Sequence, residues 1–361
     1  MFTPLQLSDF DYPLPDHLVA QAPNKDTQQN RLLVREKDGT VHHSHIKNLW
    51  QKIPQDALVV ANDTRVIPGR IKGIFDTGGK FEIMLLSPRQ DGRFHAMGKP
   101  FKKFRKGRLV QIDEKISLEV TALYDGATPT MEVAFNVGFD VLYGWLKKFG
   151  YIPLPPYIKR EMELPAATSK DSQSYQTAYA CHDGSVAAPT AGLHFNDELL
   201  LRLKEKGVQW ATVTHHVGAG TFLPVKVSDV SQHEMHTEEY SVPEKTHELI
   251  QKFKKENRPI VCVGTTSFRC VESFYQDGLL NPKKTDTWHK TGLFVYPRHD
   301  KDLYKPKVPS ILMTNFHQPC STLFMLICAL VGTGNAKELY NEAVKEEYRF
   351  FSYGDSSLLW L

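Results

Sequence analysis

The chain has 361 residues, and 44 lysines and arginines against 41 aspartates and glutamates leave a formal charge of +3. That length can bury ample core and sets a prior of about two domains. With 41% hydrophobic and 24% charged residues, wholesale disorder is excluded, and the near-neutral balance excludes a binder that works by bulk positive charge, though not a local cationic patch.

The five cysteines (Cys181, Cys262, Cys270, Cys320 and Cys328) contain no Cys-x-x-Cys pair, so they form neither a disulfide framework nor a zinc ribbon. Met1–Phe10 has no basic region followed by an apolar core. The longest apolar run, Leu323–Val331, falls far short of the ~18 residues a membrane span needs. A soluble, cytoplasmic protein is expected.

In chain order, Pro15-Asp16 predicts the start of a short helix. Arg31–Glu36 and Val41–Ile46 flank an Asp38-Gly39 turn and predict a hairpin. Leu58–Ala61 predicts a buried strand. From Val66 to Asn136 short runs of β-formers recur between glycine turns: Arg70–Phe75, Phe81–Leu86, Phe94–Met97, Leu109–Ile112, Ile116–Leu123 and Met131–Phe135. Such spacing predicts a small antiparallel barrel or sandwich. After Gly138 the texture becomes α/β. Phe139–Phe149, Leu199–Lys206, Glu244–Glu256, Ser267–Gln276, Thr322–Val331 and Ala336–Glu346 predict helices. Trp210–Val213, Ile260–Val263, Leu293–Tyr296 and Ile311–Met313 predict buried strands. The fold class expected is α/β: a mixed sheet with helices on both faces and an inserted small antiparallel β-barrel domain. Residues 1–65 and 138–361 would form the α/β body and 66–137 the insertion. The competing organisation is two successive domains split near residue 150.

In open α/β sheets ligands bind at the carboxyl ends of strands. Four donor-rich loops follow predicted strands here: Asn62-Asp63-Thr64-Arg65, Thr214 to Thr221, Gly264-Thr265-Thr266-Ser267 with Arg269 beyond it, and Thr314-Asn315-Phe316-His317. Thr, Asn and Gly are also ordinary turn residues, but four such loops together favour a site. Gly218-Ala219-Gly220 lacks the third glycine of a dinucleotide fingerprint. The Gly264 loop opens a helix and can offer N–H groups to a carboxylate. His42, His43 and His45, or His233 with His236, lack a second set at metal-site spacing, so no metal is expected. His194, His215 and His317 are better placed as acid–base groups. From Lys99 to Arg108, six cations in ten residues alternate with Phe101 and Phe104. Lys102, Lys103, Arg105 and Lys106 can neutralise phosphates and the rings can stack on bases; the alternative is a solvated hairpin with the rings in the core.

Several longer strings together resemble one family. They are Asn62–Pro68, Pro153–Ile158, Tyr175-Gln176-Thr177, Gly184–Phe195, His216–Phe222, Met235-His236, Val263–Thr266, Thr314–His317 and Tyr348–Asp355. The resemblance is to the S-adenosylmethionine:tRNA ribosyltransferase-isomerases of queuosine biosynthesis and runs from about Ser8 to Leu359. It implies an α/β domain with an inserted β-barrel. It also implies that S-adenosylmethionine serves as ribosyl donor, with no metal and no membrane, and that the partner is a tRNA with a modified wobble guanine. The enzyme is expected to act as a monomer. Gln318 and Cys320 stand where the family usually has a leucine and a basic residue, Arg298 where a glycine is usual, and Met162–Ser174 is a few residues long.

The chemistry so implied needs a base at the ribose carbon beside the sulfonium and an acid for adenine. His194 and His215 or His216 are expected to supply these, with Asp63 beside them. Arg65, Tyr175, Thr190, Gly218, Gly220, Thr221, His236, Thr265, Thr266, Arg269, Asn315, His317, Arg349 and Tyr353 are expected to bind substrate. Tyr175, Tyr353 or the Phe101/Phe104 pair would stack on the wobble base or its neighbours. Two other readings use the same loops: a nucleosidase or phosphoribosyltransferase that needs no tRNA, and a non-catalytic RNA-binding protein.

Overall fold

The structure, a computed structural model, describes residues 5–88, 92–126, 128–218, 220, 224–299 and 302–361. Its strands in chain order are β1 (Arg31–Arg35), β2 (Val41–His45), β3 (Leu58–Asn62), β4 (Thr64–Val66), β5 (Arg70–Ile74), β6 (Lys80–Pro88), β7 (Phe94–Lys99), β8 (Leu109–Gln111) and β9 (Ser117–Tyr124). They continue with β10 (Thr130–Phe135), β11 (His182–Ser185), β12 (Gln209–His216), β13 (Glu238–Ser241), β14 (Ile260–Val263), β15 (His289–Thr291), β16 (Ile311–Asn315) and β17 (Ser356–Trp360).

Among the described residues a nine-stranded mixed sheet has the order β15-β13-β12-β3-β14-β16-β17-β1-β2. Its centre, β12 through β16, is parallel, and β16 meets β17 antiparallel. Alternation along the strands divides the core between two faces. Leu58, Val60, Cys262 and Leu312 join a cluster with the helices Glu244–Lys255, Gly264–Phe274, Thr322–Val331 and Thr333–Lys345. Val59, Ala61, Val261, Val263 and Met313 face the helix Asp197–Glu205 through Leu199 and Leu203. Helices therefore cover both faces, more thickly on the first. No single helix among the described residues is long and apolar enough to cross a membrane.

Strands β5 to β10 form a six-stranded antiparallel sheet, order β5-β6-β7-β10-β9-β8. β5 and β8 end that order unpaired with each other, so the sheet is a curled half-barrel and not the closed barrel expected. The helix Phe139–Phe149 sends Leu142 and Leu146 into this sheet's core. The start of this sheet and the residue after its helix meet at one bridge: Tyr151 N–H donates to Arg70 C=O at 2.8 Å and Arg70 N–H to Tyr151 C=O at 3.2 Å.

Three expectations need correction. Leu293–Tyr296 forms no strand, because side chains occupy its backbone: Leu293 N–H donates to Thr291 Oγ1, and Leu293 C=O accepts from Arg269 Nε. The strand pairing with β13 is instead β15. β12 runs on through Thr214, His215 and His216, which pair with β13. Finally, Phe104 is 2% exposed and packs on Phe75 and Phe81, while Phe101 leans on the same core. Lys102, Lys103, Arg105 and Lys106 point to solvent. The basic turn keeps its charge outside and the Phe104 ring inside, so that ring is not available to stack on a base. A Cβ on Gly98 would lie 2.6 Å from the Phe104 ring, so that glycine admits the ring against the strand.

Phe104→Ala is expected to destabilise the protein by about 3–5 kcal/mol, the usual loss for a buried ring. Lys103→Ala in the same turn should stay within about 0.5 kcal/mol of the parent. Denaturant unfolding of the two variants checks this.

Candidate active site

A cavity opens at the carboxyl ends of β12, β14 and β16. Its wall is built from four distant stretches: Ala187–Ala191, Gly264–Thr266, Thr314–Gln318 and Phe351-Ser352, with Tyr157, Tyr175, Val217, Ser321 and Leu323. Local structure explains the convergence. Gly264 at φ +83° turns the chain sharply from β14 into its helix, a conformation costly for a residue with a Cβ. The first-turn N–H groups of that helix have no intrahelical partner. Thr266 Oγ1, on the same wall, is buried without a hydrogen-bond partner. The Phe351 end is fixed by Asp355, which accepts from the N–H groups of Arg31 and Arg349, both at 2.7 Å. Gly354 lies so close to the Arg349 carbonyl that a Cβ would collide with it.

Of the residues expected from sequence, Tyr175, Thr190, Thr265, Thr266, Asn315 and His317 line this cavity. Thr190 Oγ1 donates to Asn315 Oδ1 at 3.0 Å. Thr314 Oγ1 lies 3.0 Å from His317 Nε2, and burial holds the His317 ring neutral, with its pKa lowered to about 3.

The other histidines sit elsewhere. His194 stands behind the wall, its Nε2 3.3 Å from Asn315 Nδ2 and its Nδ1 3.1 Å from Asn30 Nδ2. Burial lowers its pKa to about 4. His215 is sealed in the sheet: Nδ1 faces Thr266 C=O and Nε2 faces Glu238 Oε2, both at 3.0 Å. Both ring nitrogens therefore meet acceptors, and neither is free to take a proton from a substrate. His215, expected as acid or base, does not line the cavity; its ring joins Thr266 to Glu238. His216 points to the opposite face, with Nδ1 2.7 Å from Thr64 Oγ1 and its ring stacked on Trp288 at 4.7 Å. Burial first, then the His215 and His182 rings, lowers its pKa to about 4.

Glu238 anchors this network. Arg269 Nη1 donates to its Oε2 at 2.6 Å and Gly218 N–H to its Oε1 at 2.9 Å. Burial alone would raise its pKa; Arg269, His215 and Gly218 reverse that and hold it at about 2. Sequence reasoning missed Glu238; the signal available was a carboxylate two residues beyond the Met235-His236 string.

The remaining expected residues are held away from the cavity. Asp63 accepts from Thr214 Oγ1 at 2.7 Å. Arg65 donates to Ala180 C=O, and Arg349 to Asn24 and Ala22. Gly220 packs against the His236 ring. Tyr353 is buried against the cavity-lining Tyr175, edge-to-face with ring centroids 5.8 Å apart. Thr221 lies outside the described residues. Of the family departures, Gln318 lines the cavity. Cys320, at φ +55°, ties to Phe10 and Leu7, and Arg298 pairs with Asp302 on the surface. No group of three or more His, Cys, Asp or Glu poised for a metal occurs among the described residues.

A family profile spans all the stretches that line this cavity. The profile described as "Queuosine biosynthesis protein" matches residues 7–359. A protein of Clostridioides difficile named S-adenosylmethionine:tRNA ribosyltransferase-isomerase is 41% identical, covering 98% of this chain and 100% of its own. One of the same name from Thermosipho melanesiensis is 39% identical over 99% of this chain and 100% of its own. The crystal structure of the S-adenosylmethionine tRNA ribosyltransferase of Thermotoga maritima superposes with a TM-score of 0.53 at 30% identity, covering 97% of this chain and 99% of that one. The chain belongs to the queuosine biosynthesis protein family, an enzyme family whose members include these ribosyltransferase-isomerases.

A pH dependence follows from the buried rings. His194, His216 and His317 stay neutral in the fold down to about 4, 4 and 3, whereas each titrates near 6.5 when unfolded. The unfolded chain thus binds more protons as pH falls below 6.5, and stability falls with it, by up to about 4 kcal/mol per pH unit for the three together. Calorimetry should find about three protons taken up by these rings on unfolding near pH 5; a Tm flat from pH 6.5 to 5 contradicts this.

Proposed function

We propose that the protein transfers the ribosyl group of S-adenosylmethionine to 7-aminomethyl-7-deazaguanine at the wobble position of a tRNA and isomerises it. The product is epoxyqueuosine-tRNA, with adenine and methionine released. The observation that carries this reading is the convergence of the family's separated strings on one cavity at the strand ends. In this reading the first turn at Gly264–Thr266 and the Thr266 hydroxyl receive the methionine carboxylate, since free N–H and O–H donors suit an anion. Phe316, Leu323 and Phe351 give the adenine an apolar wall. The sulfonium acidifies the neighbouring ribose carbon. His317, neutral and on the wall, accepts that proton, and Thr314 orients its ring. His194 acts through Asn315 as a positioning residue. The lysine and arginine side chains at 102, 103, 105 and 106 would meet tRNA phosphates.

The test is adenine release from S-adenosylmethionine, with and without tRNA carrying the aminomethyl-deazaguanine, followed with tRNA mass. Release that depends on the tRNA and adds mass to it is expected. Release without tRNA points to a nucleosidase, and binding without release to a non-catalytic RNA binder. His317→Ala should lower kcat by about 10²–10⁴, while turnover close to the parent's removes His317 from the chemistry. Neutralising Lys102, Lys103 and Arg105 should weaken tRNA binding and flatten its salt dependence, the slope falling by about one for each phosphate no longer neutralised. An unchanged slope returns that turn to a purely solvated role.

A further inference from the structure

The helices Glu244–Lys255 and Gly264–Phe274 lie on one face of β12, β13 and β15, while on the opposite face the helix Asp197–Glu205 meets β12 near Trp210. Ala211, Val213 and Tyr240 lie with Phe253, Phe268 and Val271 of the covering helices. Pairing sets the other face: His216 opposes Glu239, which opposes Lys290, so these three side chains share the side away from these covering helices. Trp288 stacks on His216 there, interplanar angle 23°, yet remains 53% exposed. The His216 ring is in turn wedged against Gly184, where a Cβ would come within 2.6 Å of Nε2. Trp288 is thus braced on one face and open to solvent on the other.

Polar and charged side chains of both signs surround Trp288. Lys290 is exposed, and His182, two residues from Gly184, is exposed with its Nε2 3.8 Å from Asp63. Arg65 is 43% exposed at its side chain, 3.9 Å from Asp183. Glu239, Asp183 and Asp63 are carboxylates near this face, and Lys290 is more exposed than any of them. Val217, the residue after His216, lines the cavity.

We infer that Trp288, braced by His216 and flanked by Lys290, His182 and Arg65, is a stacking platform for an unpaired nucleotide of the RNA beside the one held in the cavity. The inference rests on the reading of the partner as a tRNA loop. A sheet face with an ordered aromatic ring and cations around it is the recurrent way a protein holds single-stranded RNA. Stacking accepts any base, and Lys290 and Arg65 meet the phosphates on either side. The neutral His216 ring keeps the platform in place without adding a charge that salt would screen. This surface is distinct from the basic turn at Lys99–Arg108, where Phe104 is buried and Phe101 partly buried.

The experiment uses the full chain and an anticodon stem-loop RNA carrying the aminomethyl-deazaguanine. Trp288→Ala should raise its Kd about 5- to 150-fold, the range for losing one stacked base, with the salt slope unchanged. Trp288→Phe should retain most of the affinity, and Lys290→Gln should flatten the salt slope. RNA should quench the parent's tryptophan fluorescence, and Trp288→Phe should lose part of that quenching; this comparison decides if the alanine variant fails to fold. Parent-like affinity and quenching in both Trp288 variants overturns the inference, as does a parent that does not bind the stem-loop. Adenine release in the parent with no effect of Trp288 overturns the platform alone. Weakened binding in Trp288→Ala without adenine release in the parent leaves the platform standing and removes the catalytic reading.

Discussion

Glu238 keeps a negative charge in a part of the sheet that water does not reach, and three donors converge to hold it there. Arg269 reaches it from the helix that starts at Gly264, His215 from β12, and the Gly218 N–H from the loop that follows β12; Arg269 also donates to the Leu293 carbonyl. Removing one partner of such a buried cluster typically costs about 3–5 kcal/mol, because the remaining charge is left uncompensated. The geometry it fixes matters more than its net stabilisation. His215 bonds the Thr266 carbonyl with its other nitrogen, so the helix start and the β12 end are locked to each other. Both border the cavity. A wall made from separate strand ends needs such a lock if its donors are to be held ready for a substrate.

The same economy governs the histidines. Proximity to a strand end does not make an imidazole available. His215 is consumed as a linker between an acid and a carbonyl, His216 as a brace, and His194 as a support for Asn315. His317 alone among these four meets the cavity. One chemical type at four strand-end positions thus performs four different tasks, set by what each ring nitrogen faces.

Much of the architecture could be read from apolar periodicity. Phe139–Phe149 is a helix over the range its spacing predicts, and the buried run at Leu58 is a central strand. The hairpin at Asp38-Gly39 forms with Gly39 at φ +90°. What could not be read depends on partners distant in the chain. Thr214-His215-His216 looks like a loop because its residues are polar; it is strand because Asn62, Glu238 and Thr64 satisfy that polarity. Glu238–Ser241 is too short and too acidic to signal a strand by itself. The closure expected of the barrel is a property of the two end strands together, and no local pattern encodes it. At the site, the motif strings located the wall, but side-chain direction separated His317 from His215, and direction lies in the fold.

The bridge between Arg70 and Tyr151 has a consequence for assembly. It joins the first residue of the half-barrel to Tyr151, just past the helix that packs on it. An excursion of this length carries a closure entropy that grows only slowly with the number of residues enclosed. Once the half-barrel has folded, its two ends stand one hydrogen-bonded pair apart. For the large sheet the excursion is then equivalent to a short turn. The half-barrel can therefore lengthen, shorten or change its surface over evolutionary time while the register of β3 against β12 and β14 stays as it is.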